Sequence, residues 1–534
     1  NPMTDEEKSF IYEFAVWIYR AITVYHNDKN TDSSIVYHQT ILEVNKGQRH
    51  LSNTFLDIIL SLIDFNRENQ NFFFYILRNI HSGLNKINWT RTIAHSTAIV
   101  QKNVPIYISP VNKKRQINFD EELLIIFFSI LNYINGHYGF DTPINCNFPL
   151  ITGEKFKAYL SGLGIIRLRQ IKYKYFSDKS LYLWDLCFAF FDRAKKVVVE
   201  TGQKDYLLVK NFNIVFEAMI DELVGDPRDT MPSGLKDQDD GKRIDHLYSY
   251  RGLMNYDEDK PVYYIGDSKY YKRNNPVGKN SVYKQFTYAR NVIQWNLNLF
   301  MSDTDDEEII NDKKNFGHIA KLRDDETEGY NIIPNFFISA TMDKDLNYSR
   351  DGIDRTEKRR DRFTSSQFQN RLFDRDTLLV CHYDVNFLYV LALYAKDDSS
   401  EKRSWKEKVR KLFREEIQNV LKEKYTFYAM EAHPHIDGHK YLSEHFQDLL
   451  GKVYKPFDTH NTILSLALES DEKFKQENTK LVSKLKEYFY IEECPLGSDP
   501  VAAIEVAKTN NPVSTIMTAD ADQENILIIR TKDK

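Results

Sequence analysis

Two short apolar runs that each contain a carboxylate constrain this chain more than any other feature. The runs, Ile244–Tyr250 and Val262–Tyr271, are rich in β-branched and aromatic residues, and a polar segment with a glycine and four successive charged residues separates them. This pattern predicts two strands joined by a turn. Asp245 lies in the first run and Asp267 in the second, so each predicted strand carries one acid among apolar neighbours.

A lysine follows the second acid at strand spacing. Side chains alternate across a strand, so Asp267 and Lys269 are expected on one face and Ser268 on the other. Charges inside a sheet are costly unless something compensates them. One solution is a divalent cation held by the two carboxylates, with the lysine beside the water that the cation activates. The alternative is a salt-bridged strand pair without any chemistry.

Helical patterns flank the two runs. Upstream, apolar residues at helical spacing predict a helix that ends near Gly225 and carries Glu217 close to the first strand. Downstream, Tyr283–Ile293 predicts a second helix, which carries Gln285. Both helices are close enough in sequence to pack beside the two acids.

The stretch that follows Asp267 is locally basic. No acid occurs from Lys269 to Arg290, although the whole chain has a net charge of −5. A basic surface beside an acidic metal site is what a phosphodiester backbone needs. The residues expected to contact such a backbone are Lys272, Arg273, Lys279, Lys284 and Arg290.

Four motifs in order resemble the PD-(D/E)xK nuclease superfamily, and most of all its McrC-like and LlaJI-type restriction endonuclease subunits. The motifs are V-F-E-A-M-I-D, R-I-D-H-L-Y, Y-I-G-D-S-K-Y-Y-K and Y-K-Q-F-T-Y-A. With a similar segment that begins at Ile87, the resemblance extends to about Ile293. The sequence departs from the pattern at Ile244, where the name of the superfamily has a proline.

The resemblance implies an α/β fold, with a restriction-endonuclease-like mixed sheet flanked by helices. It also implies a metal-dependent deoxyribonuclease that hydrolyses DNA phosphodiesters with Mg²⁺, for which Mn²⁺ substitutes. Asp245 and Asp267 would be metal ligands, and Glu217 an outer or second-metal ligand. Lys269 would orient the attacking water and stabilise developing charge, and Gln285 would position the water or the phosphate.

Three functional alternatives stay open. In the first, which the resemblance implies, the chain is the cleavage subunit of a restriction or anti-phage defence system. Because the sequence has no G-x-x-x-x-G-K-[ST] motif, the motor would be a separate AAA+ GTPase or ATPase. In the second, the chain is a self-contained site-specific endonuclease with its own recognition domain. In the third, it is a non-catalytic DNA-binding or assembly protein with a nuclease-like fold, and its oligomeric state is open in all three.

The pattern of apolar and charged residues along the chain predicts three regions. Residues 1–200 are expected to be mainly helical, as a module for partner docking or DNA contact. Residues 201–400 would hold the sheet, interrupted by a charged insertion at 341–376, and 401–534 would form a helical C-terminal region. Within the first region, Lys155–Lys174 has six basic residues and no acid, which indicates either a solvated face or a surface for nucleic acid or a partner.

Composition excludes several other classes of protein. The apolar runs are too short to span a membrane, and the acidic N-terminus does not resemble a signal peptide. The four cysteines are far apart and include no C-x-x-C pair. We therefore expect a reduced cytoplasmic protein without a zinc module.

Overall fold

The computed structural model describes residues 5–29, 55–80, 86–192, 212–232, 234–236, 243–254, 260–269, 279–302, 306–342, 345–355, 369–396, 398–456, 462–511, 514–515 and 528–529. The chain divides into two compact units. The first comprises Asn1–Lys210 with Ala395–Asp397, and the second comprises Asn211–Tyr394 with Asp398–Lys534. Residues 401–534 thus fall in the same unit as the expected sheet, and the division into three regions stays a prediction.

The first unit is largely helical, as predicted. Its longer helices are α1 (Asp5–Lys29), α2 (Phe55–Glu68), α3 (Trp89–His95), α4 (Glu122–Tyr138), α5 (Gly153–Ala158), α6 (Gly164–Ile171) and α7 (Asp178–Asp192). Two antiparallel strand pairs accompany them: β1 (Tyr75–Ile80) with β4 (Asn112–Ile117), and β2 (Ala98–Gln101) with β3 (Val104–Tyr107). The core forms around α4, whose apolar residues are buried against α1, α2 and α7.

The second unit contains the predicted mixed sheet, and the two strands predicted around Asp245 and Asp267 are present in it. Among the described residues the sheet has five strands, in the order β5-β6-β7-β9-β8. Strand β6 pairs antiparallel with β5 and parallel with β7, β7 pairs parallel with β9, and β8 adds an antiparallel edge within the charged insertion. The strands are β5 (His246–Arg251), β6 (Pro261–Lys269), β7 (Pro334–Thr341), β8 (Ile353–Arg355) and β9 (Leu379–Asn386).

Aromatic packing across the sheet fixes the neighbourhood of Asp267. Tyr248 on β5 and Tyr264 on β6 stack with ring centroids 5.0 Å apart. Gly266 faces the fully buried ring of Phe336, and a Cβ atom at Gly266 would lie 2.1 Å from that ring. Only glycine therefore fits beside Asp267 while β6 keeps its contact with β7.

The helix that carries Glu217 is tied to the sheet at its C-terminal end. This helix, α8 (Phe212–Val224), packs against β5 and β6. The buried guanidinium of Arg410 donates to Val224 O at 2.7 and 3.0 Å and pairs with Asp226 Oδ1 at 2.6 Å. Asp226 Oδ2 in turn accepts a hydrogen bond from Ser249 N at 2.7 Å. These contacts satisfy carbonyl and carboxylate groups at the helix end and hold α8 in register with β5.

The rest of the second unit contains further helices, which pack on the mixed sheet, on one another or on the C-terminal strands. The helices are α9 (Lys279–Met301), α10 (Glu307–Phe316), α11 (Phe387–Ala395) and α12 (Ser399–Lys424), followed by α13 (Gly438–Glu444), α14 (Phe446–Leu449), α15 (Lys475–Leu485) and α16 (Pro500–Asn510). The downstream helix predicted from Tyr283 is therefore part of the longer α9.

The C-terminal region contains a sheet that the sequence analysis did not recognise. Beside its predicted helices lie four antiparallel strands in the order β11-β12-β10-β13. They are β10 (Tyr425–Ala432), β11 (Val453–Tyr454), β12 (Ile463–Glu469) and β13 (Phe489–Glu493), and a further pair joins β14 (Ser514–Thr515) to β15 (Ile528–Ile529). Strand β10 follows α12 directly, so no turn signal separates the two patterns. None of the described helices is long and apolar enough to cross a membrane.

Candidate active site

Asp245 and Asp267 lie side by side on neighbouring strands. The register pairs His246 with Gly266, which places Asp245, just before β5, opposite Asp267 near the end of β6. Burial, a hydrogen bond to Asp267 and the charge of Asp267 together raise the pKa of Asp245 to about 7. The two groups share this hydrogen bond only while Asp245 keeps its proton, because two carboxylates are both acceptors.

Lys269 contacts the second of these acids. Its ammonium pairs with Asp267 Oδ2, and the two side chains are 15% and 5% exposed. The other oxygen, Asp267 Oδ1, is buried and receives no hydrogen bond from a donor in the described part of the chain. A buried carboxylate oxygen without a donor is costly, so this atom marks the place where a bound cation or water would stabilise the site.

Glu217 contributes a third negative group from α8. The pKa of Glu217 is raised mainly by burial and further by the charge of Asp245. His246 and Lys269 act in the opposite direction. The side chain is half-buried. Three carboxyl groups thus share one electrostatic environment with Lys269, so negative charge is in excess when all three are ionised.

The donor chemistry of this cluster suits a hard divalent cation. Carboxylate oxygens are the ligands that Mg²⁺ prefers, and Mg²⁺ commonly uses only one or two of them with water in its other positions. Asp267 Oδ1, which has no donor among the described residues, fits such a role. Among the described residues, no group of three His, Cys, Asp or Glu side chains has metal-ligating geometry. A cation would therefore rest on Asp245 and Asp267, with Glu217 farther out.

Gln285 is buried beside the sheet. It is on α9, which packs against β6, the strand of Asp267 and Lys269. The side chain is 0% exposed, and neither its Oε1 nor its Nε2 has a partner among the described residues. An amide in this state costs free energy unless a water or ligand satisfies it. Its assignment as a positioning group for water or phosphate stays a prediction.

The predicted DNA contacts are only partly described. Lys272 and Arg273 lie outside the described residues, and Lys279 is described only as the first backbone position of α9. The side chain of Lys284 is exposed. Arg290 is exposed as well, but its guanidinium binds Asp376 Oδ1 at 2.5 and 3.1 Å. Contact between Arg290 and a phosphate would have to replace this ion pair.

Sequence reasoning missed a second buried ionic cluster next to the acids. Asp221 Oδ1 lies 2.6 Å from Lys236 Nζ and 3.6 Å from Nδ1 of the fully buried His246. Burial alone would raise the pKa of Asp221, but His246 and Lys236 outweigh burial and hold it well below its usual range. The distance of 3.6 Å between Asp221 Oδ1 and His246 Nδ1 is longer than that of an ordinary hydrogen bond.

The sequence positions of Asp221 and His246 could have indicated this cluster, whereas that of Lys236 could not. Asp221 lies one helical turn after Glu217, and His246 immediately follows Asp245. Lys236 lies in a short loop segment, and nothing in its sequence context predicts burial. The cluster joins α8 to β5 and so holds the backbone on which Glu217 and Asp245 lie.

The raised pKa of Asp245 leads to a testable pH dependence in protein freed of divalent cations. An unfolded aspartate has a pKa of about 3.9, so between about pH 4 and pH 7 the folded state keeps a proton that the unfolded chain releases. Stability from this group is therefore lost as pH rises through the folded pKa. Relative to Asp245→Asn, we expect the wild-type melting temperature in EDTA to fall between about pH 4 and about pH 7 and to level off above that. If the melting temperatures of the two proteins change with pH in the same way across this range, the raised pKa of Asp245 is contradicted.

Comparison with known proteins adds one distant likeness. No protein-family model matches the sequence, and no curated protein matches it. Among solved structures, the chain is similar to a chain of the Thermococcus gammatolerans assembly of McrB AAA+ hexamers with bound McrC. The sequences are 10% identical, and the match covers 74% of this chain and 76% of that chain with a TM-score of 0.19. A likeness at this level carries no weight in assigning a fold or a function.

Proposed function

We propose that this chain is a Mg²⁺-dependent DNA endonuclease, the cleavage subunit of a restriction or anti-phage defence system. The observation that carries the proposal is the pairing of Asp245 with Asp267 on adjacent strands, with the ammonium of Lys269 against the second carboxylate. Buried acids with a raised pKa and a specific charge partner are common at catalytic sites. The sequence motifs that carry these residues point to the same chemistry.

The roles of the residues follow from their contacts. Asp245 and Asp267 would hold Mg²⁺, which when bound supplies positive charge at the phosphate and lowers the pKa of the attacking water. Lys269 would be released from Asp267 when that carboxylate holds a cation, and its ammonium could then contact water or phosphate. In the reaction, the water loses a proton as its oxygen bonds to phosphorus, the P–O ester bond breaks, and the leaving oxygen takes up a proton. Lys269 would stabilise the charge that develops in this step.

Glu217 and Gln285 would act around this centre. The pKa of Glu217 is raised by burial and by Asp245, so the carboxyl group can accept a proton more readily than an ordinary glutamate. The amide of Gln285, which has no partner within the described ranges, offers one donor group and one acceptor for water or phosphate. Both roles belong to the proposal and depend on the metal site.

A separate motor subunit would complete the proposed system. The chain lacks a phosphate-binding loop motif, and the sequence resemblance implies an AAA+ GTPase or ATPase partner. Exposed apolar side chains on the β2–β3 hairpin support a docking role for the first unit, since such patches commonly mark protein contacts. They are Ile99, Val100, Val104 and Ile106, which are 47% to 69% exposed.

The same contacts favour a second candidate, a non-catalytic DNA-binding or assembly protein. In this alternative, Lys269 and Asp267 form a structural ion pair that compensates two buried charges. The test is incubation of the purified chain with supercoiled plasmid and Mg²⁺ or Mn²⁺, with and without a motor encoded beside it. Formation of nicked or linear DNA that EDTA prevents supports the endonuclease. Intact plasmid under every condition overturns it.

DNA affinity offers an independent prediction. Because the whole chain is acidic, binding must depend on local basic residues and should weaken steeply with salt. We expect charge reversal at Lys272, Arg273 and Lys279 together to reduce the slope of log affinity against log salt by about 0.9 for each phosphate that the protein no longer neutralises. Lys480→Glu, at an exposed position on α15, is the control. A slope that the triple variant leaves unchanged would place the DNA elsewhere.

A further inference from the structure

A basic and aromatic surface in the first unit has no role in the proposed cleavage chemistry. It is formed by the end of α6, the helical turn Lys172–Lys174 and the loop after it. We call it the α6 surface, and its residues are Arg169, Lys172, Tyr173, Lys174 and Phe176. Tyr173 is 73% exposed and Phe176 is 86% exposed. Exposed apolar patches on a protein surface commonly mark binding sites.

The basic residues between Lys155 and Lys174 differ in whether a carboxylate pairs with them. Lys157 pairs with Glu154 at 2.7 Å, and Arg167 pairs with Glu122 at 2.7 Å. In the described part of the chain, no carboxylate pairs with the three cations of the α6 surface, Arg169, Lys172 and Lys174. The positive charge around the two exposed rings is thus not neutralised by salt bridges within the described residues.

Aromatic residues of α7 hold two of these cations in place. The ammonium of Lys172 lies 4.0 Å from the ring centre of Trp184, and the guanidinium of Arg169 lies 5.5 Å from that of Phe188. Trp184 and Phe188 stack on each other with centroids 4.9 Å apart. Trp184 Nε1 also donates to Leu168 O at 2.7 Å, which fixes the indole under α6. The cations are therefore partly ordered before any ligand binds.

We propose that the α6 surface binds a nucleic-acid strand with unpaired bases. Unneutralised cations attract the phosphates of a strand, and exposed rings offer faces on which unpaired bases stack. In duplex DNA the bases already stack on one another. The phosphates of a duplex would contact the cations, but Tyr173 and Phe176 would have no base to stack on. The combination of both features therefore favours a single strand or a locally opened duplex.

The test measures binding without cleavage. Fluorescence anisotropy is recorded in EDTA with a labelled single strand of about 15 nucleotides and with the duplex of the same sequence. For the double variant Tyr173→Ala/Phe176→Ala, we expect the dissociation constant for the single strand to rise at least about tenfold and that for the duplex to change less than about threefold. Phe446→Ala, an exposed phenylalanine of the second unit, is the matched control.

Two further variants separate stacking from charge and from misfolding. Tyr173→Phe/Phe176→Tyr keeps both rings and should retain wild-type affinity for the single strand. Lys172→Ala/Lys174→Ala should lower the salt slope for the single strand by about 1.4, which is about 0.7 for each phosphate no longer neutralised, whereas Lys480→Ala should leave it unchanged.

Three outcomes would overturn the inference. One is wild-type affinity of the Tyr173→Ala/Phe176→Ala variant for the single strand, at an unchanged melting temperature. Another is an equal loss of single-strand and duplex binding, which would indicate a phosphate surface without stacking. The third is a loss of affinity that the ring-preserving variant shares. None of these readouts requires the chain to cut DNA, so the inference stands or fails separately from the proposed nuclease activity.

Discussion

Asp267→Asn is expected to reduce Mg²⁺-dependent plasmid cleavage at least about a thousandfold, which corresponds to about 4 kcal/mol of activation free energy. Asparagine has nearly the same shape but carries no charge, so it would hold a divalent cation weakly and leave the phosphate charge uncompensated. This acid is chosen first because its Oδ1 is buried and has no donor in the part of the chain that the structure describes. Initial cleavage rates and calorimetric titration with Mg²⁺ measure the effect, and both signals should be lost together.

The fold should tolerate this change because two effects oppose each other. Asp267→Asn removes the carboxylate partner of Lys269, which destabilises, and it also relieves repulsion with Asp245, which stabilises. We expect the melting temperature to stay within about 2 °C of wild type, which is roughly 1 kcal/mol for a unit of this size.

The chain supplies a matched control for this variant. Asp471 precedes Lys473 at the same spacing but lies on an exposed segment, where Asp471→Asn should leave cleavage unchanged. Cleavage at the wild-type rate by Asp267→Asn, or an equal loss in both variants, contradicts the assignment of Asp267 as a metal ligand.

Local patterns were sufficient to predict the strands and helices that carry the candidate site. The apolar runs around Asp245 and Asp267 could become only strands of moderate length, and alternation placed Asp267 and Lys269 on one face. The stripe on α8 likewise predicted a buried helix that ends at Gly225. These elements are confirmed because one short-range rule determines each of them.

The partners of these elements could not be predicted from local patterns. The register that brings Asp245 opposite Asp267 depends on how β5 and β6 pair over a separating polar segment. The burial of Lys236 depends on Asp221 from α8 and His246 from β5, three segments that only tertiary structure brings together. The same holds for Gln285, because burial of an amide on a helix depends on the neighbour that covers it.

The C-terminal sheet was missed for a different physical reason. Strand β10 begins at Tyr425, directly after the last residue of the charged helix α12, without a glycine or proline between them. Helix-forming residues dominated the pattern up to Lys424, so the change to a period of two is visible over only eight residues. Pairing with β12 and β13 then stabilises a strand that its own sequence indicates weakly.

Lys269→Arg is expected to lower the cleavage rate at least about tenfold, or about 1.4 kcal/mol of barrier, while Mg²⁺ and DNA binding stay close to wild type. This variant is the one for which a catalytic and a structural role of Lys269 predict the most different results. Arginine keeps the charge and can still pair with Asp267, so a structural ion pair would survive. A catalytic ammonium must lie about 3 Å from the charge that develops, and the larger planar guanidinium cannot occupy the same position.

Lys473→Arg provides the comparison, since Lys473 has the same spacing from Asp471 and is exposed on the surface. Single-turnover rates with saturating Mg²⁺ separate the chemical step from binding, and melting temperatures report the fold. If Lys269→Arg cuts at the wild-type rate, or if its loss matches a lowered melting temperature, Lys269 is a structural partner of Asp267. A slow enzyme with an unchanged melting temperature and unchanged Mg²⁺ affinity instead assigns Lys269 to the transition state, because only an interaction stronger there than in the ground state alters the rate in this way.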